Sequence, residues 1–142
     1  MKIFVSTIIG ILFVSTLTRC SQELSVNKKK EIEATESIKG WLAIVDSGQY
    51  SKSWQLAGNT FKKQVSDSIW NAALNKVRTP LGKINIRTNN SAKYTTSLPG
   101  VPDGEYVIAT FKTSFDKKKE ALETVSAMFE DGKWRIVGYF IK

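Results

Sequence analysis

The sequence predicts an α+β domain, with N-terminal helices packed on one face of a curved antiparallel sheet of three to four strands. Three observations predict it. Apolar residues recur at helical spacing as far as Thr79. Beyond Pro80-Leu81-Gly82 the spacing changes to alternation with a period of two. Turn signals separate the alternating runs, so the order is helices first and antiparallel strands after them. At 142 residues the chain is long enough for one domain.

Each element has its own justification. Residues 21–27 are polar and read as loose. A helix runs from about Val26 to Asp46, because Ile38, Trp41, Leu42 and Val45 fall at i, i+3, i+4 and i+7. Ser47-Gly48 ends it, the glycine taking the left-handed turn. Tyr50–Leu56 is a second, short helix, interrupted by Gly58-Asn59, and Phe61–Val65 is one further helical turn. Ser66 or Asp67 caps a third helix through Thr79, with Ile69, Trp70, Ala73, Leu74 and Val77 as its apolar face. Pro80 stops it, since proline disfavours helical geometry at Thr79 and donates no hydrogen bond.

The strands follow. Ile84, Ile86 and Thr88 alternate with Lys83, Asn85 and Arg87, and Asn89-Asn90 marks a turn or bulge before Ala92, Tyr94 and Thr96. Glu105–Phe115 is a long strand, placed centrally by apolar residues on both faces of its first half. Ala121–Phe129 is the next, and Asp131-Gly132 is a strongly favoured hairpin turn. The last strand puts Trp134, Ile136, Gly138 and Phe140 on one face and Val137, Tyr139 and Ile141 on the other.

Residues 1–20 read as an export signal ahead of a single domain over 21–142. Lys2 gives a positive start, and the uncharged run from Ile3 to Thr18 is shorter than the ~20 residues that span a bilayer. The expected destination is the periplasm or the outside of the cell. Cys20 is the only cysteine, which excludes an internal disulfide. Its position also suggests a membrane-anchored lipoprotein acylated at Cys20. Leu17 fits the motif before such a cysteine; Arg19 stands where a small residue is expected. Plain cleavage between Thr18 and Ser21 is the first expectation and lipid anchoring through Cys20 the second.

Loss of residues 1–20 removes Lys2 and Arg19 and takes the net charge from +8 to +6. Such a surface suits anionic partners. The charge is not gathered, however. Lys28-Lys29-Lys30 runs into Glu31, Glu33 and Glu36, and Lys117-Lys118-Lys119 is flanked by Asp116 and Glu120. With no base-reading motif, no nucleic-acid partner is expected. The chain has no histidine, which removes the usual base near neutral pH and the commonest transition-metal ligand. Zinc sites built from Cys and His, and histidine-dependent nucleophiles, go with it. No catalytic residue, cofactor or metal is expected. Carboxylates and tyrosines remain. Asp46 is either a base in an apolar interior or, the favoured reading, a hydrogen-bonding group at the Ser47-Gly48 turn. Glu123 sits mid-strand among Leu122, Val125 and Ala127; facing inward it needs a partner, and Arg135 on the neighbouring strand is available.

Several stretches also resemble a known family when taken in order. They are Trp41–Tyr50 (WLAIVDSGQY), Ser53-Trp54, Trp70, Arg78, Pro80-Leu81-Gly82, Thr95–Phe111, Glu123-Thr124 and Asp131–Ile141. Together they resemble the bacterial domain-of-unknown-function 4019 family over residues 38–141. The family carries no activity to transfer. Its members are often exported, and its element order is similar to the cone-shaped NTF2-like (cystatin-like) fold. That group includes ketosteroid isomerases, dehydratases and many pocket-bearing domains without activity. No position here matches the catalytic residues of its enzymes.

The expected function is that of an exported, non-enzymatic module for a small ligand or an envelope protein. The alternatives are a carboxylate-dependent enzyme of isomerase or dehydratase type and a self-associating structural domain, a homodimer. Tyr50, Trp54, Arg78, Tyr94 and Tyr106 are the candidate ligand-binding residues. Tyr and Trp carry polar handles that suit a pocket mouth, although aromatic stripes are usually core. Arg78 suits an anionic ligand, or simply the C-terminal dipole of its helix. In Thr95–Phe111, Leu98-Pro99-Gly100 suits a type II turn and Pro102-Asp103-Gly104 a second turn, a corner that fixes strand register. Intact-mass analysis of protein from its native envelope checks the N-terminus. The expected mass is an unmodified chain starting near Ser21; acyl mass on an N-terminal Cys20 selects the lipoprotein reading instead.

Overall fold

Helical and alternating patterns divide the chain where the sequence divides them. A computed structural model describes residues 14–142. It places helices α1 (Val14–Asp46), α2 (Tyr50–Leu56), α3 (Asn59–Gln64) and α4 (Asp67–Arg78) first, followed by a 3₁₀ turn over Thr79–Leu81. Strands β1 (Ile84–Thr95), β2 (Tyr106–Phe115), β3 (Ala121–Glu130) and β4 (Lys133–Ile141) form one antiparallel sheet in the order β1-β2-β3-β4. The helices cover one face of it, the α+β arrangement expected. Residues 1–13 of the expected export signal, and the side chain of Cys20, lie outside the described residues. Among the described residues no helix is long and apolar enough to cross a membrane.

α1 begins before Val26, and residues 21–27 are helical rather than loose. The segment contains no proline, and Lys28 and Lys29 pair with Glu31 and Glu33 one turn on, which supports an exposed helix. Further along, Ala34, Ile38, Trp41, Leu42 and Val45 are buried as one stripe. The Ser66 hydroxyl caps α4 by accepting from Ile69 N. The face expected for α4 is wrong in part. Trp70, Leu74 and Arg78, four residues apart, point inward, whereas Ile69, Ala73 and Val77 are exposed. α4 touches the domain along one narrow line, so only every fourth residue is covered.

Bulges decide which side chains face the helices. β1 is continuous through Asn89-Asn90, with its register shifting between Asn89 and Ser91. A second shift lies between Ile84 and Ile86, where Asn85 is the extra residue, so the expected Ile84-Ile86-Thr88 face breaks: Ile84 lies opposite Phe115, Ile86 is 63 % exposed opposite Ser114, and Arg87 points inward. On the β3–β4 pair the register shifts between Ser126 and Ala127, which face Gly138 and Ile136, so Val137 is the extra residue. The expected β4 face therefore breaks. Trp134 and Ile136 are buried, Phe140 is 55 % exposed, and Tyr139 takes the inward place. The β3–β4 turn has φ 51° at Asp131 and 76° at Gly132, the positive pair that a type I′ hairpin requires.

The β1–β2 connection folds back on the outer face of the sheet. Gly100 has φ 79°, as a type II turn requires at that position. Gly104 N donates to Thr96 O, and the Tyr106 hydroxyl donates to Pro102 O at 2.6 Å. A Cβ at Gly104 would stand 2.9 Å from Met128 Cε, so the loop lies tight over the sheet.

Between helices and sheet, Ile38, Leu42 and Val45 pack with Val107, Phe111, Val125 and Ile136. Phe111→Ala is expected to lower unfolding stability by about 3–5 kcal/mol in urea titration, by lost transfer energy and a cavity. A loss near zero would show that Phe111 does not fill this core.

Candidate functional site

Six elements each send one polar side chain to the same end of the interior. Asp46 is the last residue of α1 and Arg78 the last of α4. Arg87 comes from β1, Thr113 from β2, Glu123 from β3 and Tyr139 from β4. Arg87 forks between two carboxylates. Its Nη1 donates to Asp46 Oδ2 at 2.6 Å and its Nε to Glu123 Oε2 at 2.6 Å, while Nη2 donates to Asp46 Oδ1 at 2.9 Å and Glu123 Oε1 at 3.1 Å. Arg78 Nη2 donates to Asp46 Oδ1 at 2.5 Å, and its Nη1 lies 3.5 Å from Glu123 Oε1. Thr113 and Tyr139 donate their hydroxyls to Glu123 at 2.5 and 2.6 Å. The Arg78 guanidinium also lies 4.5 Å from the Phe115 ring centroid.

The cluster balances its own charge: two guanidiniums face two carboxylates. Glu123 is 0 % exposed. Burial by itself would raise its carboxyl, but Arg87 and the Thr113 and Tyr139 hydroxyls overcome that and hold it below its ordinary value. Burial, then the Glu123 charge, pushes the Tyr139 phenol well up. Burial opposes the charge on Arg87, yet its bonds to Asp46 and Glu123 more than offset it and raise Arg87 above its ordinary value. A carboxylate held ionised by four donated hydrogen bonds is a poor proton acceptor, and a phenol that keeps its proton is a poor donor of it. Glu123 thus pairs with Arg87 and Arg78 and not with Arg135. Asp46 meets both guanidiniums rather than serving only its own turn.

A smaller polar set ties α1 to the sheet edge. Lys30 Nζ donates to Glu105 and, at 3.2 Å, to the Tyr94 hydroxyl, which itself donates to Glu105 at 3.1 Å. The Glu105 bond raises Lys30 from its ordinary value, and the same bond lowers Glu105. Glu31 accepts from Tyr94 N, so α1 also satisfies a backbone donor of β1.

The candidate ligand-binding residues lie in separate places. Arg78 belongs to the ion cluster and Tyr94 to the Lys30 set. Tyr50 and Trp54 of α2 pack against the core, Trp54 donating its indole N–H to Val65 O. Tyr106 is buried under the β1–β2 loop on the opposite sheet face. Sequence reasoning missed Arg87, Thr113 and Tyr139. The available signal was Arg87 itself, a charge within an alternating run whose other face is only moderately apolar.

Hollows open on the surface among the described residues. One of about 200 Å³ lies at Lys39, Arg87, Asn89 and Phe111. One of about 420 Å³ separates α1 from β1 at Glu31, Thr35, Asn89 and Asn90. Another, of about 590 Å³, is on the outer sheet face, with Ile86, Thr88, Lys112, Lys119, Leu122 and Lys142 in its wall.

A family model described as "Protein of unknown function (DUF4019)" matches residues 37–139. A comparison with curated proteins finds no match.

Removing one member of the ion cluster leaves buried charge unpaired. Glu123→Ala is expected to cost about 3–5 kcal/mol of stability. The pH dependence has a definite sign. The folded Glu123 carboxyl lies below its ordinary 4.5, so the unfolded chain binds the extra proton in acid. Its contribution is complete above about pH 4.5 and is lost as pH falls through the folded value. Tyr139 acts oppositely. Its folded value lies above the ordinary 10.0, so its contribution holds below that pH and declines as pH rises past it. Unfolding titrations from pH 3 to 7 on the parent and Glu123→Gln check this; an acid slope unchanged by the substitution would refute the assignment.

Proposed function

We propose, for a chain that belongs to the DUF4019 family, that the domain is an exported, non-enzymatic module that binds a small ligand in its outer hollow. The observation that carries the reading is the fate of the interior carboxylates. Asp46 and Glu123 are the acids that a catalytic reading would use, and both are bonded to Arg78 or Arg87. Their bonding leaves neither carboxylate poised as a base, and Trp41, Trp70 and Tyr139 pack against one another beside them. Helices on one face of a sheet bent by bulges are consistent with an NTF2-like cone, which we include in the proposal. On the helix-covered face a hollow of about 200 Å³ reaches Arg87 and Phe111, and the roomier space for a ligand lies on the outer face. The outer hollow has the size of a small-molecule site, about 300–1,000 Å³. Export rests on the uncharged run Ile3–Thr18 behind Lys2.

Native mass spectrometry of the protein taken from its source envelope tests the binding. The expected result is an excess mass of small-molecule size that disappears on denaturation. The bare chain mass under both conditions would sink the proposal.

A further inference from the structure

Deepening the reading of the outer hollow as a ligand site, we infer that its ligand is a monomeric, single-chain anionic amphiphile, an apolar body ending in a carboxylate or phosphate. The sheet register builds the site. Thr88, Lys112 and Leu122 form one cross-strand row, and Ile86 faces Ser114 in the next. Lys119 enters from the β2–β3 connection. Lys142 enters beside Leu122, the two residues exchanging backbone hydrogen bonds at 3.0 and 3.1 Å. Three lysines and one glutamate, Glu120, therefore line one hollow.

Among the described residues none of these three lysines forms an ion pair. The adjacent acid, Asp116, is turned to the backbone of Lys83, whose N–H it accepts at 3.2 Å. Lys142 Nζ lies 5.5 Å from the Phe140 ring centroid and Glu120 brings one negative charge, so the wall keeps a net positive charge that an anion complements. The apolar part of the ligand is indicated by Ile86 and Leu122, which are 63 % and 38 % exposed within the same hollow. Covering two aliphatic side chains favours an alkyl body over a bare inorganic anion. The Thr88 and Ser114 hydroxyls supply donors to the head group.

Other occupants fit less well. A second copy stacked through this face would bring like charges together across the symmetry axis. A nucleic-acid strand would need a row of stacking rings, whereas the lining residues contribute none and Phe140, 5.5 Å from Lys142 Nζ, is a single ring beside them.

Calorimetric titration of the purified chain tests the inference with three probes of equal chain length below their micelle concentrations: laurate, neutral dodecyl maltoside and cationic dodecyltrimethylammonium. Laurate is expected to bind at least about tenfold more tightly than either of the others. Lys112→Glu and Leu122→Asn are each expected to weaken laurate by about tenfold, at unchanged circular dichroism. Equal binding of all three probes, or full laurate affinity in Lys112→Glu, overturns the proposal. So does sedimentation with phosphatidylglycerol vesicles without laurate binding, which would make the patch a membrane-docking face. A concentration-dependent dimer that Leu122→Asn dissolves overturns it in favour of self-association. Failure with laurate beside a retained native mass rejects this ligand class alone; failure of both rejects the ligand-site reading.

Discussion

Glu123 is the constraint on which the rest of the domain depends. A carboxylate on the inward face of a central strand costs on the order of several kcal/mol in lost hydration, repaid only by well-placed partners. Here the partners come from every side. Arg87 reaches it across β2, Arg78 from the end of α4, Thr113 from the neighbouring strand and Tyr139 from the far one. Arg87 then has a second edge to satisfy, and Asp46 at the end of α1 meets it. The ends of two helices are thereby fixed against the sheet by charge, while their middles are fixed by apolar contact. Apolar packing alone tolerates small slides of a helix along a sheet. A forked guanidinium between two carboxylates does not, because its geometry is planar and directional.

The bulge in β4 follows from the same demand. Were Val137 paired in the ladder instead of bulged, strict alternation would continue from Trp134 and Ile136 through Gly138 to Phe140. Glu123 would then face a glycine and a phenylalanine instead of a hydroxyl. With the bulge, Tyr139 turns inward, donates to Glu123, and lays its ring edge-on to Trp41 and Trp70. Tyr139 is thus the joint between the charged end of the interior and the aromatic one. At the aromatic end two indoles turn to one serine. Trp41 Nε1 donates to Ser53 O and Trp70 Nε1 to Ser53 Oγ, so one buried serine serves both indoles.

The sequence discloses the elements more readily than their faces. Helix period, the change of period after Gly82, and the Asp131-Gly132 turn lead to the α+β order because each is a local signal. Bulges are not local signals. Asn89-Asn90 hints at one in β1 and the isolated Gly138 at one in β4, but which residue is extra, Val137, exists only relative to β3. Arg87 was hidden for a related reason. Alternation says that Ile86 and Arg87 face opposite ways, and hydropathy then puts the isoleucine inside. The structure reverses them through the register shift between Ile84 and Ile86, which turns Arg87 toward Asp46 and Glu123, residues distant in sequence. An inward charge becomes legible only when its partners are known to converge, and that is tertiary information.

The reversal has a consequence for the two faces of the sheet. Turning Arg87 inward necessarily turns Ile86 outward, and the same pleat sets Lys112 and Leu122 outward opposite Thr113 and Glu123. The inner face spends its charges on one another and is electrically quiet. The outer face keeps lysines without carboxylate partners beside uncovered aliphatic carbon. A surface is commonly amphipathic in patches, but unpaired charge and exposed alkyl side chains in a single hollow call for a complement that the chain itself does not supply. The stability device on one side of the sheet and the open site on the other are in this sense products of one register.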